Sequence, residues 1–297
     1  MFNIFKKKKL DNSNSIEIPK ELRMSALMNI LNNYKEATKE DCYKVILEQE
    51  GNVSILDSKI GGNYYIPISS DYPKDRYGNY MFLLVQINFS NYLFDIFPPE
   101  GILQIFVTKD YNEYKIKYYK DIKENYKTVF PNIDTSNFIC KDSVKISFEK
   151  SISYMPVSDY RSSNLINQYV NNIINHPSDF EVFKQIIKFD YEDFYMSKFD
   201  YQNFLNNPDS VLYKLIESAI YYKIKNDYIT IGGYADFTQS DPRENDELLS
   251  NKTECLFKID DQEESFYLGD GIINILISTD DLQNQKFENS VLIQDNQ

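Results

Sequence analysis

The chain has 297 residues, with 45 acidic against 32 basic side chains, a net charge of -13 and a sequence pI near 4.7. A surface of that sign repels phosphate backbones, because nucleic-acid affinity comes largely from Lys and Arg displacing counterions, so nucleic acid is excluded as a general partner. Cys42, Cys140 and Cys255 are too few and too scattered for a disulfide framework or a clustered metal site, and no apolar run approaches the roughly 18 residues of a membrane span.

The first ten residues, MFNIFKKKKL, place their lysines after a few apolar residues, and no apolar segment follows. That order is not a secretory leader. Residues 1–19 are expected to be a disordered, solvated basic tail; contact with an anionic membrane surface through Phe2, Ile4, Phe5 and Lys6 to Lys9 is the lesser reading. The cysteine usage suits a reducing compartment, so a cytoplasmic location is expected. Residues 20–50 are predicted helical. Leu22, Ala26, Leu27, Ile30, Leu31 and Tyr34 follow the 3–4 spacing of one buried face, and a break near Thr38, a candidate cap, separates a second helix.

Glycine is scarce, and seven of the nine glycines fall into two matching sets. Gly61-Gly62 is followed about 24 positions on by the apolar run Leu84 to Asn88, and Gly101 then opens a run from Ile102 to Val107. Gly232-Gly233 is followed about 25 positions on by Leu256 to Asp260, and Gly269-Asp270-Gly271 opens a run from Ile272 to Ile277. A glycine pair after a strand permits positive φ, and a glycine before an apolar run marks a turn into a buried strand. Tyr114 to Tyr119 and Val144 to Tyr154 alternate as strands. Residues 160–226 read as helices with joints at Pro177 and Pro208. Within them, Lys188 to Tyr191 and Lys198 to Tyr201 repeat Lys-Phe-Asp-Tyr ten residues apart, which would put both aromatic sets on one helix face.

The expected fold is therefore α+β. A β-rich unit is duplicated about a pseudo-two-fold axis, with N-terminal helices and a helical insert between the copies. The first unit spans about 53–156, the helical segment about 160–226 and the second unit about 228–291, all within one domain over 20–297. The 25 Tyr and 20 Phe, with no Trp, accompany abundant Asn, Lys and Ile. That pattern reflects AT-rich coding more than an aromatic binding surface.

Ser58 to Gly62 with Pro67, Tyr72-Pro73, Gln86-Ile87-Asn88 and Gly101 to Phe106 resemble the first half of the YwqG-like family of bacterial proteins. Gly232-Gly233-Tyr234, Gln239, Asp241-Pro242-Arg243, Ile259-Asp260 and Gly269-Asp270-Gly271 resemble the second half. The resemblance covers about residues 20–291. It implies an α+β fold with internal duplication in a domain of unknown function, with no accepted activity, cofactor or catalytic residue. The chain departs from the family at Lys258, where Gln is usual, and at Leu268, where Trp is usual.

The residues themselves offer little chemistry. His176, the single histidine, precedes Pro177 in a helix joint and has no nucleophile elbow to serve. No phosphate-binding or dinucleotide fingerprint occurs, and no cofactor is expected. Asp260-Asp261 and Glu263-Glu264 lack the spacing of a calcium loop. Asp241-Pro242-Arg243-Glu244 reads as a helix start through Leu249, with Asp241 as N-cap, Pro242 at the first position and Glu244 closing a capping box. Arg243 then either receives an anion or pairs with Asp241 or Asp270. Gln86, polar within an apolar run, is expected to bond irregular backbone; Lys258 fills the matching slot of the other unit. The candidate binding residues are Gln86, Tyr234, Gln239, Asp241, Arg243 and Asp270, lining one cleft. The first functional expectation is a non-catalytic interaction protein, of inhibitor or immunity type, whose acidic surface takes a basic protein partner. The alternatives are a small-ligand module with its site between the repeats, and a carboxylate-dependent hydrolase using Asp241 or Asp270.

Overall fold

The computed structural model describes residues 17–48, 52–131, 143–260 and 271–296, apart from the side chains of Phe199 and Asn296. The Lys6 to Lys9 tail, Cys140, Asp261, Glu263, Glu264, Leu268, Gly269 and Asp270 lie outside the described residues. The chain divides into two compact units, Met1–Tyr34 with Asn164–Lys223, and Lys35–Ser163 with Ile224–Gln297.

The first unit is helical. It holds most of α1 (Lys20–Thr38) and α2 (Ser162–Asn175), together with α3 (Pro177–Phe189), α4 (Lys198–Phe204) and α5 (Pro208–Lys223). Pro177 and Pro208 stand at the first positions of their helices, where the missing N–H has no intrahelical partner to lose. On α1, Leu27, Leu31 and Tyr34 are buried as the spacing predicts, whereas Leu22 is exposed. Arg23 donates through Nε and Nη2 to the two carboxylate oxygens of Asp190, at 2.7 and 3.0 Å. The two Lys-Phe-Asp-Tyr segments do not share one helix face. A 3-10 turn at Tyr191–Phe194 and the left-handed residue Tyr195 (φ 55°) break the helix between them.

The second unit is built on a ten-stranded antiparallel sheet. Its strands are β1 (Glu40–Leu47), β2 (Lys59–Ile60), β3 (Phe82–Asn88), β4 (Ile102–Val107), β5 (Tyr114–Tyr119), β6 (Val144–Ser153), β7 (Ile229–Gly232), β8 (Glu254–Asp260), β9 (Gly271–Ile277) and β10 (Val291–Asn296). The order is β10-β9-β8-β7-β1-β6-β2-β3-β4-β5. Helices together with this sheet make the protein α+β.

β1 corrects the expectation of a second helix after Thr38. The segment Glu40 to Leu47 pairs along its whole length with β6 and at Cys42 to Lys44 with β7. Its partners lie about a hundred and two hundred residues further on, so no local spacing announces them. Outward from β1 and β6, the runs β2-β3-β4-β5 and β7-β8-β9-β10 follow the same order. The β3–β4 and β8–β9 ladders shift register at Leu83/Val85 and at Cys255/Phe257.

One face of the sheet carries the main core, with Tyr43, Val45, Val85, Ile87, Ile105, Ile146, Ile231, Phe257, Ile259 and Ile275 among its buried members. Burial of each such side chain stabilises by about 1.5–3 kcal/mol. The other face buries polar side chains in register: Lys59 opposite Gln86 opposite Gln104 in one run, and Thr230 opposite Lys258 opposite Asn274 in the other. Gln104 Nε2 donates to the carbonyl of Tyr65 (2.6 Å), and Asn274 Nδ2 donates to the carbonyl of Asp236 (2.7 Å).

Lys59 is 1% exposed, and its ammonium donates to the carbonyls of Ser54 and Asn63. Burial lowers its pKa from 10.5 to about 8, against the nearby charge of Asp57. Between about pH 8 and pH 10 the unfolded chain binds the Lys59 proton and the folded chain releases it, so stability rises with pH across that window. Wild type is expected to gain on the order of 3 kcal/mol over a Lys59→Met variant between those limits. Parallel urea titrations at pH 8 and pH 10 check this; a constant difference between the two proteins would show that Lys59 stays charged.

Candidate functional site

The Asp241-Pro242-Arg243-Glu244 segment follows β7 and its glycine pair. Asp241 caps as the residues predict, its carboxylate accepting from the Arg243 N–H at 2.9 Å. The helix does not extend to Leu249, and Glu244 is exposed. Pro242–Glu244 form a single 3-10 turn. Arg243, within that turn, is 3% exposed. Its Nε and Nη2 donate to Asp241, at 2.6 Å for Nη2 to Oδ2, and the same Nη2 donates to Asp159 Oδ2 at 3.0 Å.

Asp159, 1% exposed, is also gripped by Arg161, whose Nε and Nη2 reach its two oxygens at 2.8 and 2.7 Å. The group is thus two guanidiniums and two carboxylates, with charges that cancel. Aromatic rings wall it: Arg243 lies over Tyr160 and Phe237, and Arg161 over Tyr160 and Tyr234. Burial alone would push the Asp159 carboxyl up. The hydrogen bonds and charge of Arg161, with the charge of Arg243, outweigh it and hold that carboxyl below its ordinary value.

The network continues outward through Tyr234, 5% exposed and hydrogen-bonded to Glu40 at the start of β1. Burial raises the Glu40 carboxyl above its ordinary value, against the Tyr234 hydroxyl and the Arg161 charge; the nearby charge of Glu254 pushes the same way as burial. Glu40, Asp41 and Glu254 edge a cavity of about 190 Å³ at the end of the sheet where β1 and β8 begin and β7 stops. Ile96, Phe97 and Leu282, the last from the short helix α6 (Thr279–Gln283), supply its apolar wall, and Gly232-Gly233 present bare backbone to it. Gly232 has φ +74°, and a Cβ there would meet Ile96 Cδ1 at 2.7 Å.

The structure brings Tyr234, Asp241 and Arg243 together. Gln239 is exposed, with its backbone N–H on Asp295 (3.2 Å). Asp270 lies outside the described residues. Gln86 stands apart. Its strand β3 is four positions from β7 in the sheet, about 19 Å at the usual strand spacing. Gln86 is 0% exposed: Oε1 accepts from Tyr65 N and Gln104 Nε2, and Nε2 donates to the carbonyls of Ile55 and Asp57. Irregular backbone is what it bonds. His176 is exposed at the N-terminus of α3, its Nδ1 at 2.7 Å from the carbonyl of Asn172. Cys42 and Cys255 are buried free thiols, and burial pushes their pKa values up to about 11 and about 12, well away from reactivity. Among the described residues no group of acidic, His or Cys side chains is arranged to hold a metal ion, and no helix is long and apolar enough to cross a membrane.

Sequence reasoning missed Asp159, Arg161, Glu40 and Glu254. The scarcity of arginine was the available signal: Arg23, Arg76, Arg161 and Arg243 each pair with a carboxylate.

These features define an α+β protein whose ten-stranded sheet carries a neutral, buried Arg–Asp network beside a small acid-edged cavity. The family model described as Domain of unknown function (DUF1963) matches residues 58–295, and the chain belongs to that family. Comparison with curated proteins finds no match.

Proposed function

We propose that the protein is a non-catalytic interaction protein, of inhibitor or immunity type, which presents an acidic surface to a basic protein partner in the bacterial cytoplasm. The observation that carries this reading is how the buried polar groups are used. Arg243, Asp241, Asp159 and Gln86 are each committed to partners within the fold. The excess of 13 negative charges is thereby left to the rest of the molecule, where it favours cationic partners and disfavours nucleic acid.

We also read the chain as a YwqG-like member of its family, with β2–β5 and β7–β10 as two copies of one duplicated unit. The matching strand order, the paired register shifts, and the equivalent bonds of Gln104 and Asn274 to backbone just past each glycine pair support that reading.

Native mass spectrometry of the protein purified gently from its source cells tests the proposed role. The expected result is an excess mass on the scale of a protein, lost as ionic strength rises. A retained mass of only a few hundred daltons would replace this reading with ligand binding. A protein partner indifferent to salt would remove the electrostatic basis.

A further inference from the structure

The cavity beside Gly232-Gly233 has the size and lining for one basic side chain. Its volume of about 190 Å³ is below the roughly 300 Å³ at which sites for drug-sized ligands begin, so it suits a single extended group. The bare backbone of Gly232 lets Ile96 pack close against it as part of the cavity wall; a Cβ there would run into Ile96 Cδ1. Ile96 and Phe97 give an apolar wall, and Glu40 and Glu254 stand at the edge. Asp41, also at the edge, is paired with Lys150 at 3.1 Å. Among the described residues Glu254 Oε1 accepts from the hydroxyls of Thr253 and Thr279, Glu40 is hydrogen-bonded to Tyr234 and feels the Arg161 charge, and neither carboxylate has a cation in direct ion-pair contact. The charge of Glu254 pushes the Glu40 carboxyl up.

We propose that this cavity receives an arginine side chain of the partner protein, its stem along Ile96 and Phe97 and its guanidinium between Glu40 and Glu254. The chemistry matches on each part. Long basic side chains lay their methylenes on apolar surface while keeping the charged head at a polar edge, and a guanidinium fork engages carboxylates with more geometric specificity than an ammonium. Ile96 is 43% exposed, and Leu93, three residues earlier in the same loop, is 93% exposed. The inference rests on the reading of the previous subsection, an acidic surface that takes a basic partner, and names where that partner is held.

The test uses the full chain and a fluorescent arginine-rich peptide, followed by anisotropy at low salt, with its citrulline counterpart and free agmatine as competitors. Glu254→Gln and Glu40→Gln are each expected to weaken peptide binding about tenfold, the scale of losing one hydrogen bond to a charged group. Glu244→Gln and Glu247→Gln, exposed acids outside the cavity, serve as charge controls and should do far less. Ile96→Lys, at a partly exposed position, fills the cavity with the chain's own cation and should abolish binding while leaving the melting temperature close to wild type. If the cavity variants lose no more than the controls, the cavity assignment falls and the acidic-surface reading stands. If agmatine binds as tightly as the peptide, the occupant is a small guanidine and the assignment to a protein side chain is overturned. If the peptide does not bind at low salt, both readings fail.

Discussion

Replacing Arg243 by methionine is expected to destabilise the folded chain by about 3–5 kcal/mol, because removing one member of a buried ion network leaves its partners charged and uncompensated. Arg243 is 3% exposed, Asp241 2% and Asp159 1%, so water has little access to repair the loss. Methionine keeps an unbranched apolar stem and removes the guanidinium, with its ion pairs and its place over Tyr160 and Phe237. The pH profile gives an independent check. Asp159 has its folded pKa held below the ordinary value, so its contribution is present above the unfolded pKa of about 3.9 and is lost as pH falls through the folded value. Without the Arg243 charge that folded value rises, and the acid limb of the stability curve should move to higher pH in the variant. Urea unfolding between pH 3 and pH 7 measures both effects. A variant as stable as wild type with an unmoved acid limb would show the network to be solvated and energetically idle. Asp241→Asn combined with Arg243→Met should cost less than the sum of the two, since each single change has already broken the same contacts.

The second large effect is expected at Gln86. A Gln86→Leu variant keeps the strand but removes four hydrogen bonds at once, to Tyr65 N, Gln104 Nε2, Ile55 O and Asp57 O. A buried donor or acceptor left without a partner costs about 1–3 kcal/mol, and water reaches some of these groups more easily than others, so a total of about 3–5 kcal/mol is expected. Gln86→Glu separates geometry from charge. It preserves the acceptor for Tyr65 but sets a carboxylate against two carbonyls, and should be at least as damaging near neutral pH. Hydrogen exchange localises the outcome: the Tyr65 amide should lose protection in Gln86→Leu before the β4 amides do. Unchanged protection at Tyr65 would mean that the loop over β3 is held by its apolar contacts, Tyr64, Ile66 and Met81 with Leu83 and Phe106, and not by the amide.

Much of the secondary structure was legible in local patterns. The runs Ile102 to Val107 and Tyr114 to Tyr119 are strands over those same residues, and Pro177 and Pro208 open the helices that follow them. These features depend on near neighbours: side-chain alternation, an apolar run after a glycine, a proline with no N–H to lose. The α+β class and the distribution of glycines follow from the same local chemistry, as does the acidic charge, which composition alone sets. The expectation that Gln86 bonds irregular backbone also came from one residue in its run, since a buried amide must find partners wherever the chain supplies them.

The site was set by distance along the chain instead. Glu40 to Leu47 became a central strand because β6 and β7 bond to it from both sides, and nothing within the segment encodes partners so remote. The Asp241 cap did form, but the helix stopped after a three-residue 3-10 turn, and the Arg243 side chain from that turn met Asp159, 84 residues away in sequence. Gln86 was grouped with Tyr234 and Arg243 because a groove was expected along the axis of the duplicated units; the sheet puts β6, β1 and β2 between β3 and β7. Local propensity therefore decided many of the helices, strands and caps, but not strand β1 or the length of the turn after Asp241. Only the tertiary structure decided which charges were buried against each other and which residues came to line the cavity beside Gly232, because those outcomes depend on the long-range pairing of strands, and the free energy of a buried charge depends on what the fold brings beside it.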